Sequence, residues 1–215
     1  TDYRGRVQDK KVTILPQPMF VLTYYERQDE VRRQINYNKS IDDLNNRHVL
    51  PFKLLITNNE SSLTEEQVKL HFASIDTETE RIVESSDNAL CYYARALDFY
   101  LVQDFDNALR DLDSVVARKP DFFPAYFTRA CIHYKQLEYK KRETSYEIET
   151  SSETTQQVRM LDYAAIRRDL DEVIRLAPDF AYAYYNRANV LVSMKDYRAA
   201  LVDYDKAIEL DSRFS

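Results

Sequence analysis

DYRAALVDYDKAIELDSRF, residues 196–214, is a line that this chain writes three times. The earlier versions read DFDNALRDLDSVVARKPDF at 104–122 and DYAAIRRDLDEVIRLAPDF at 162–180. Such repetition decides the architecture before any single residue does, because each copy is one unit that buries its apolar face only against its neighbours. The shared Pro-Asp-Phe at 120–122 and 178–180 sets the register, so the units begin at Ala89, Phe123 and Ala181. The steps are 34 and 58 residues, and the longer one is the shorter with about 24 residues inserted near 138–161.

Each unit reads as two helices. The first helices are ALCYYARALDFYLV, FPAYFTRACIHYKQ and AYAYYNRANVLVSM, with Ala96, Ala130 and Ala188 at one shared place. The second helices carry Ala108, Leu112 and Val115 in unit one and Ala200, Tyr204 and Ala207 in unit three, spaced to share a face. Small residues there let two backbones approach. Pro120 and Pro178 stop the second helix, and the next begins almost at once. The inserted stretch is rich in Ser, Thr and Glu. The spacing of Val158, Leu161 and Ala165 predicts longer helices in unit two, joined by a polar connection near Ser145–Thr155.

Composition agrees and excludes alternatives. Gly5 is the only glycine in 215 residues, so glycine-dependent tight β-turns and phosphate loops are nearly ruled out. Charged residues of both signs are mixed and the net charge is −6, which argues against a nucleic-acid partner. No apolar run reaches the ~20 residues of a membrane span, so no direct membrane insertion is expected. Cys91 and Cys131 make no disulfide framework and read as two small buried thiols. The chain does not begin with Met and is expected to be a piece of a longer protein, which leaves the compartment open between cytoplasm and periplasm.

A 34-residue helix–turn–helix unit with these small residues, aromatics and prolines resembles the tetratricopeptide repeat family. The resemblance implies a mainly α fold: a helical-hairpin solenoid of three repeats, 89–122, 123–180 and 181–214. Three departures stand out. Ile166 replaces the usual Ala of the second helix and suggests looser packing. Ser212 replaces the terminal Pro. Gln103 and Lys195 stand where the family has Gly.

Residues 1–63 fall outside the repeat. VTILP (12–16), MFVLTYY (19–25) and PFKLLIT (51–57) read as short extended segments, with a helix through Asp29–Asn45. Thr64-Glu65-Glu66-Gln67 is a capping box opening a helix with Val68, Phe72 and Ile75 on one side. A further helix follows over Thr77–Ser85, making 64–88 a cap on the array. Residues 3–28 bear a faint resemblance to a segment of long bacterial tetratricopeptide proteins of unassigned role.

Two constellations recur with the repeat. Arg95, Arg129 and Arg187 share one place, and Asp111, Asp169 and Asp203 another. Their separation is 16 residues in units one and three and 40 in unit two, so antiparallel helices bring the levels together and predict partly buried Arg–Asp pairs. The alternative is an arginine ladder for an acidic ligand. The second constellation comes from the family resemblance, in which the first helices line a concave groove. Residue by residue it implies Leu90, Tyr93, Leu97 and Tyr100, then Pro124, Phe127, Cys131, Tyr134 and Lys135, then Tyr182, Tyr185, Asn186, Asn189 and Ser193. That groove is aromatic, and its unit-three asparagines are suited to a peptide backbone. Tyr93 and Tyr185 stand where the family's carboxylate clamp needs Lys, so a chaperone-tail ligand is not expected.

Enzymatic motifs are missing. There is no G-x-S-x-G, Walker loop or H-E-x-x-H, and His48, His71 and His133 are scattered. No catalytic residue, cofactor or metal is expected. The reading is a scaffold binding a protein or peptide through the aromatic groove. The alternative is an assembly module, its groove filled by residues 12–25 or 50–57, or its end self-associating through Leu201, Tyr204 and Ile208 of the last helix.

Overall fold

The computed structural model of the chain describes residues 18–24, 39–47, 53–58, 63–144 and 153–214. In chain order these form β1 (Val21–Tyr24), α1 (Lys39–Arg47), β2 (Leu54–Thr57), α2 (Glu65–Glu84), α3 (Ala89–Leu101), α4 (Phe105–Arg118), α5 (Phe123–Thr144), α6 (Glu153–Leu176), α7 (Ala181–Ser193) and α8 (Tyr197–Leu210). A 3-10 turn follows at Ser212–Phe214. Helix pairs α3/α4, α5/α6 and α7/α8 are the three hairpins, each packed on the next.

The hairpins form for local reasons. Asp104 and Asp196 cap α4 and α8, their carboxylates accepting from the Asn107 and Ala199 amides. The turns into them pass through Gln103 and Lys195 at φ 64° and 65°. That left-handed conformation is the one for which the family uses Gly, and a side chain there costs about 1 kcal/mol. Unit two differs: α5 runs for 22 residues and α6 for 24, against 13 and 14 in the flanking units. Asp162, the counterpart of the two caps, therefore lies exposed inside α6. The connection expected near Ser145–Thr155 falls largely outside the described residues.

One main core runs from the N-terminal strands through α3–α7, and Ala188, Leu191, Val192 and Ala200 make a second, small cluster between α7 and α8. Ala96, Ala130, Ala188 and Ala108 are fully buried where helices meet. Ile166, expected to loosen unit two, is likewise at 0% exposure, absorbed into the main core. Cys91 and Cys131 are free, buried thiols.

The cap is one helix, not two. Thr64 and Gln67 make the reciprocal capping box, and α2 continues unbroken for 20 residues. Nothing between 76 and 78 stops it: the Thr77 and Thr79 hydroxyls donate back to the Ala73 and Ile75 carbonyls inside the helix. β1 and β2 pair antiparallel, Val21 with Thr57 through Tyr24 with Leu54. Asn45 of α1 holds Leu54 from both sides, donating to its carbonyl at 3.0 Å and accepting from its amide at 2.8 Å. Residues 12–16 and 29–38 lie outside the described residues.

Candidate functional site

Each repeated arginine is held from two helices. Arg95 makes two bonds of 2.7 Å to Asp111. Arg129 makes two to Asp169 at 2.8 and 2.6 Å, and Arg187 two to Asp203 at 2.7 Å each. The third donor reaches back to the preceding second helix: Arg129 to Asp113 at 2.7 Å and Arg187 to Asp171 at 2.8 Å. Arg95 uses Thr79 of α2 in the same way at 2.9 Å. Thr79, Asp113 and Asp171 each precede their arginine by 16 residues, so α2 occupies the place of a second helix in a preceding unit. The guanidinium groups also lie over Tyr92, Tyr126 and Tyr184, at 5.7, 5.5 and 5.6 Å. That Tyr-x-x-Arg spacing was readable in the sequence. The carboxylates raise the affinity of all three arginines for their protons, opposed by partial burial.

The other side of the first helices carries β1. The Phe20 amide donates to Asn186 Oδ1 at 2.9 Å, and Asn186 Nδ2 donates to the Phe20 carbonyl at 2.8 Å. The Cys131 thiol donates to the same carbonyl at 3.2 Å. The Phe20 ring meets Tyr182, Tyr185 and Phe214 edge-on, with centroids 4.9, 5.2 and 5.4 Å away. Leu22 is fully buried. At the far end the Tyr24 hydroxyl donates to Asp98 and lies 3.3 Å from His71 Nδ1, itself 2.9 Å from the same Asp98 oxygen. Within five residues the segment has touched α7, α5, α3 and α2.

The residues assigned to a groove divide between this seat and the interior. Tyr182, Tyr185, Asn186 and Cys131 contact Phe20, the residue just before β1. Tyr93 does not present a surface: it is fully buried, with its ring on Phe122 and its hydroxyl 3.1 Å from Thr128. Burial pushes its ionisation well above the usual tyrosine range. Phe127 is likewise buried against Phe180, and Leu97 is at 0% exposure. These rings are needed to fill the space between successive hairpins. Tyr134 is buried beside Tyr163 and Ser193, and Tyr100 is buried with Lys135 Nζ 5.2 Å from its ring centroid. Asn189 accepts from the Tyr204 hydroxyl at 2.5 Å. Burial pushes Tyr204 up to about 12.

Sequence reasoning offered residues 12–25 as a groove filler without singling out Phe20 or Tyr24, and it missed His71 and Asp98. The latter two had a signal. Asp98 stands in the register place of Ile132 and Val190, both fully buried aliphatics. His71 stands in the place of Phe105, Tyr163 and Tyr197, all aromatic. Asp98 is itself at 0% exposure, and its Oδ2 has no hydrogen-bond partner among the described residues.

Other surfaces offer less chemistry. A pocket between α1 and the start of α5 is lined by Leu44, Arg47, Phe123 and Phe180. Tyr197, Leu201 and Ile208 of α8 are exposed, whereas Phe105, Leu109 and Val116 at the same places in α4 pack on the core. Among the described residues no three His, Cys, Asp or Glu side chains are placed to hold a metal, and no helix is long and apolar enough to cross a membrane.

Residues 181–214 match the family model described as tetratricopeptide repeat. Among solved structures the chain is similar to a crystal structure of MamA, at 14% identity and TM-score 0.53, over 67% of this chain and 70% of that one. It is similar also to a MamA RS-1 ArsTM double mutant, at 16% identity and TM-score 0.52, over 66% of each chain. At these identities the likeness is one of fold.

Proposed function

We propose that this chain, a tetratricopeptide-repeat protein and by that fold a protein-interaction scaffold, works with its groove closed by its own N-terminal strand. The repeats form a stiff frame, bolted by arginine–carboxylate pairs, and β1 is the segment that the groove holds. The observation that carries this reading is the two-sided grip of Asn186 on the Phe20 backbone. A fully buried amide side chain is costly when its ends go unpaired, and here the Phe20 backbone satisfies both. The groove's aromatic residues in unit three then serve first as the seat of Phe20, and protein partners meet a scaffold whose first ligand is internal.

Hydrogen exchange at residues 20–24 tests the reading. A closed groove protects the Phe20 amide nearly as long as the α5 and α7 amides. Exchange of that amide within the dead time, with the helices still protected, would return the groove to partners and defeat the closed form.

A further inference from the structure

The cis strand fits its seat at two points better than at the third. The aromatic box takes Phe20, and Asn186 satisfies its backbone in both directions. At Asp98, however, the Tyr24 hydroxyl and His71 both converge on Oδ1. Oδ2 stays without a hydrogen-bond partner among the described residues, on a side chain at 0% exposure. A buried carboxylate half-supplied with donors is costly, and the other two units avoid the cost by carrying Ile132 and Val190 at this place. The scaffold alone therefore gives no reason for an acid here. A ligand hydroxyl does.

We propose that Asp98 and His71 form a tyrosine-reading pocket. Together with Asn186 and the box of Tyr182, Tyr185 and Phe214, they select an uncharged extended segment of a partner protein with the pattern aromatic-x-aliphatic-x-tyrosine, which competes with β1. This rests on the reading of the groove as a strand seat. Phe20, Leu22 and Tyr24 supply the pattern in cis, so a partner segment with the same pattern competes for the same contacts. Asn186 reads only main chain, the box reads ring shape, and the carboxylate rejects phenylalanine because a ring without a hydroxyl leaves the buried acid short of another donor.

The probe is a labelled heptapeptide with the sequence of Pro18–Tyr24, and a second with its tyrosine changed to phenylalanine. Both are titrated by polarisation into the full chain, into Leu22→Asp and Phe20→Ala chains that weaken the cis strand, and into each of these with Asp98→Leu. The tyrosine peptide is expected to bind at least tenfold more tightly to the weakened chains than to wild type. It should bind at least tenfold more tightly than the phenylalanine peptide, and Asp98→Leu should erase that preference while helicity is kept. Equal binding of the two peptides to a folded Asp98 chain overturns the proposal. So does no binding to either weakened chain, and so does a wild-type dimer that excludes the peptide, which would assign the seat to a second copy's strand. If the Phe20 amide is protected and no peptide binds, the closed groove stands and this proposal alone fails. If that amide exchanges freely, the closed groove itself fails.

Discussion

Arg129 and Asn186 both sit on first helices, both are held by several hydrogen bonds, and they connect very different stretches of chain. Arg129 joins α5 to its own hairpin partner and to the preceding second helix, and its relatives Arg95 and Arg187 do the same at each level. Asn186 joins α7 to a residue 166 positions away, and neither other unit repeats it: Ala94 and Thr128 stand at its place. The first network is periodic, the second singular. Periodic contacts build the frame. Singular contacts mark where something outside the repeat has to be recognised.

That contrast predicts a graded set of effects. Arg129→Ala strands Asp169, whose side chain is only 13% exposed, and is expected to cost about 3 kcal/mol in denaturant melts, spread over the whole array. A loss below about 1 kcal/mol would reduce the ladder to solvated surface pairs. Asn186→Ala should cost about 2 kcal/mol, because the Phe20 amide and carbonyl lose their partner. Its signature is local: exchange rises at residues 20–24 while α3 and α4 keep their protection. Uniform loss of protection would make Asn186 part of the frame.

The buried groups at and behind the strand seat also titrate. Burial holds Cys131 and Tyr93 in their neutral forms, with ionisation raised above the ordinary 9.0 and 10.0. A group raised on folding contributes stability that is complete below its unfolded value and is lost as pH rises above it. Stability should therefore begin to fall above about pH 9, by roughly 1 kcal/mol per unit and group. Cys131→Ala should flatten the first part of that fall in melts compared at pH 8 and 10. An unchanged slope would mean the thiol already meets water. The smallest effect belongs to the turns. Gln103→Gly and Lys195→Gly should each raise stability by about 0.5–1 kcal/mol by removing a side chain from a left-handed position, without touching the strand.

The frame was legible because its signals are local or periodic. Asp104 and Asp196 begin their repeated lines and cap helices, and the 16-residue Arg–Asp spacing becomes contact wherever a hairpin closes. Legibility stopped where one pattern met two contexts. Asp162 has the same local sequence as the two caps and lies within a helix, because the insertion lengthens α6 through it. Tyr93 and Tyr185 share a register place, yet one fills the interior and the other touches Phe20. Periodicity puts a ring on a helix face but does not say what covers that face.

From the residues alone came the repeat, its register, the lengthened second unit and the arginine–carboxylate ladder, all consequences of propensities and spacings within one or two hairpins. Only the tertiary structure decided that Phe20 meets Asn186, and that Tyr24 meets Asp98. Those contacts span 166 and 74 residues. They depend on where the packed helices leave an extended seat, a property of the assembled array that no window of the sequence contains.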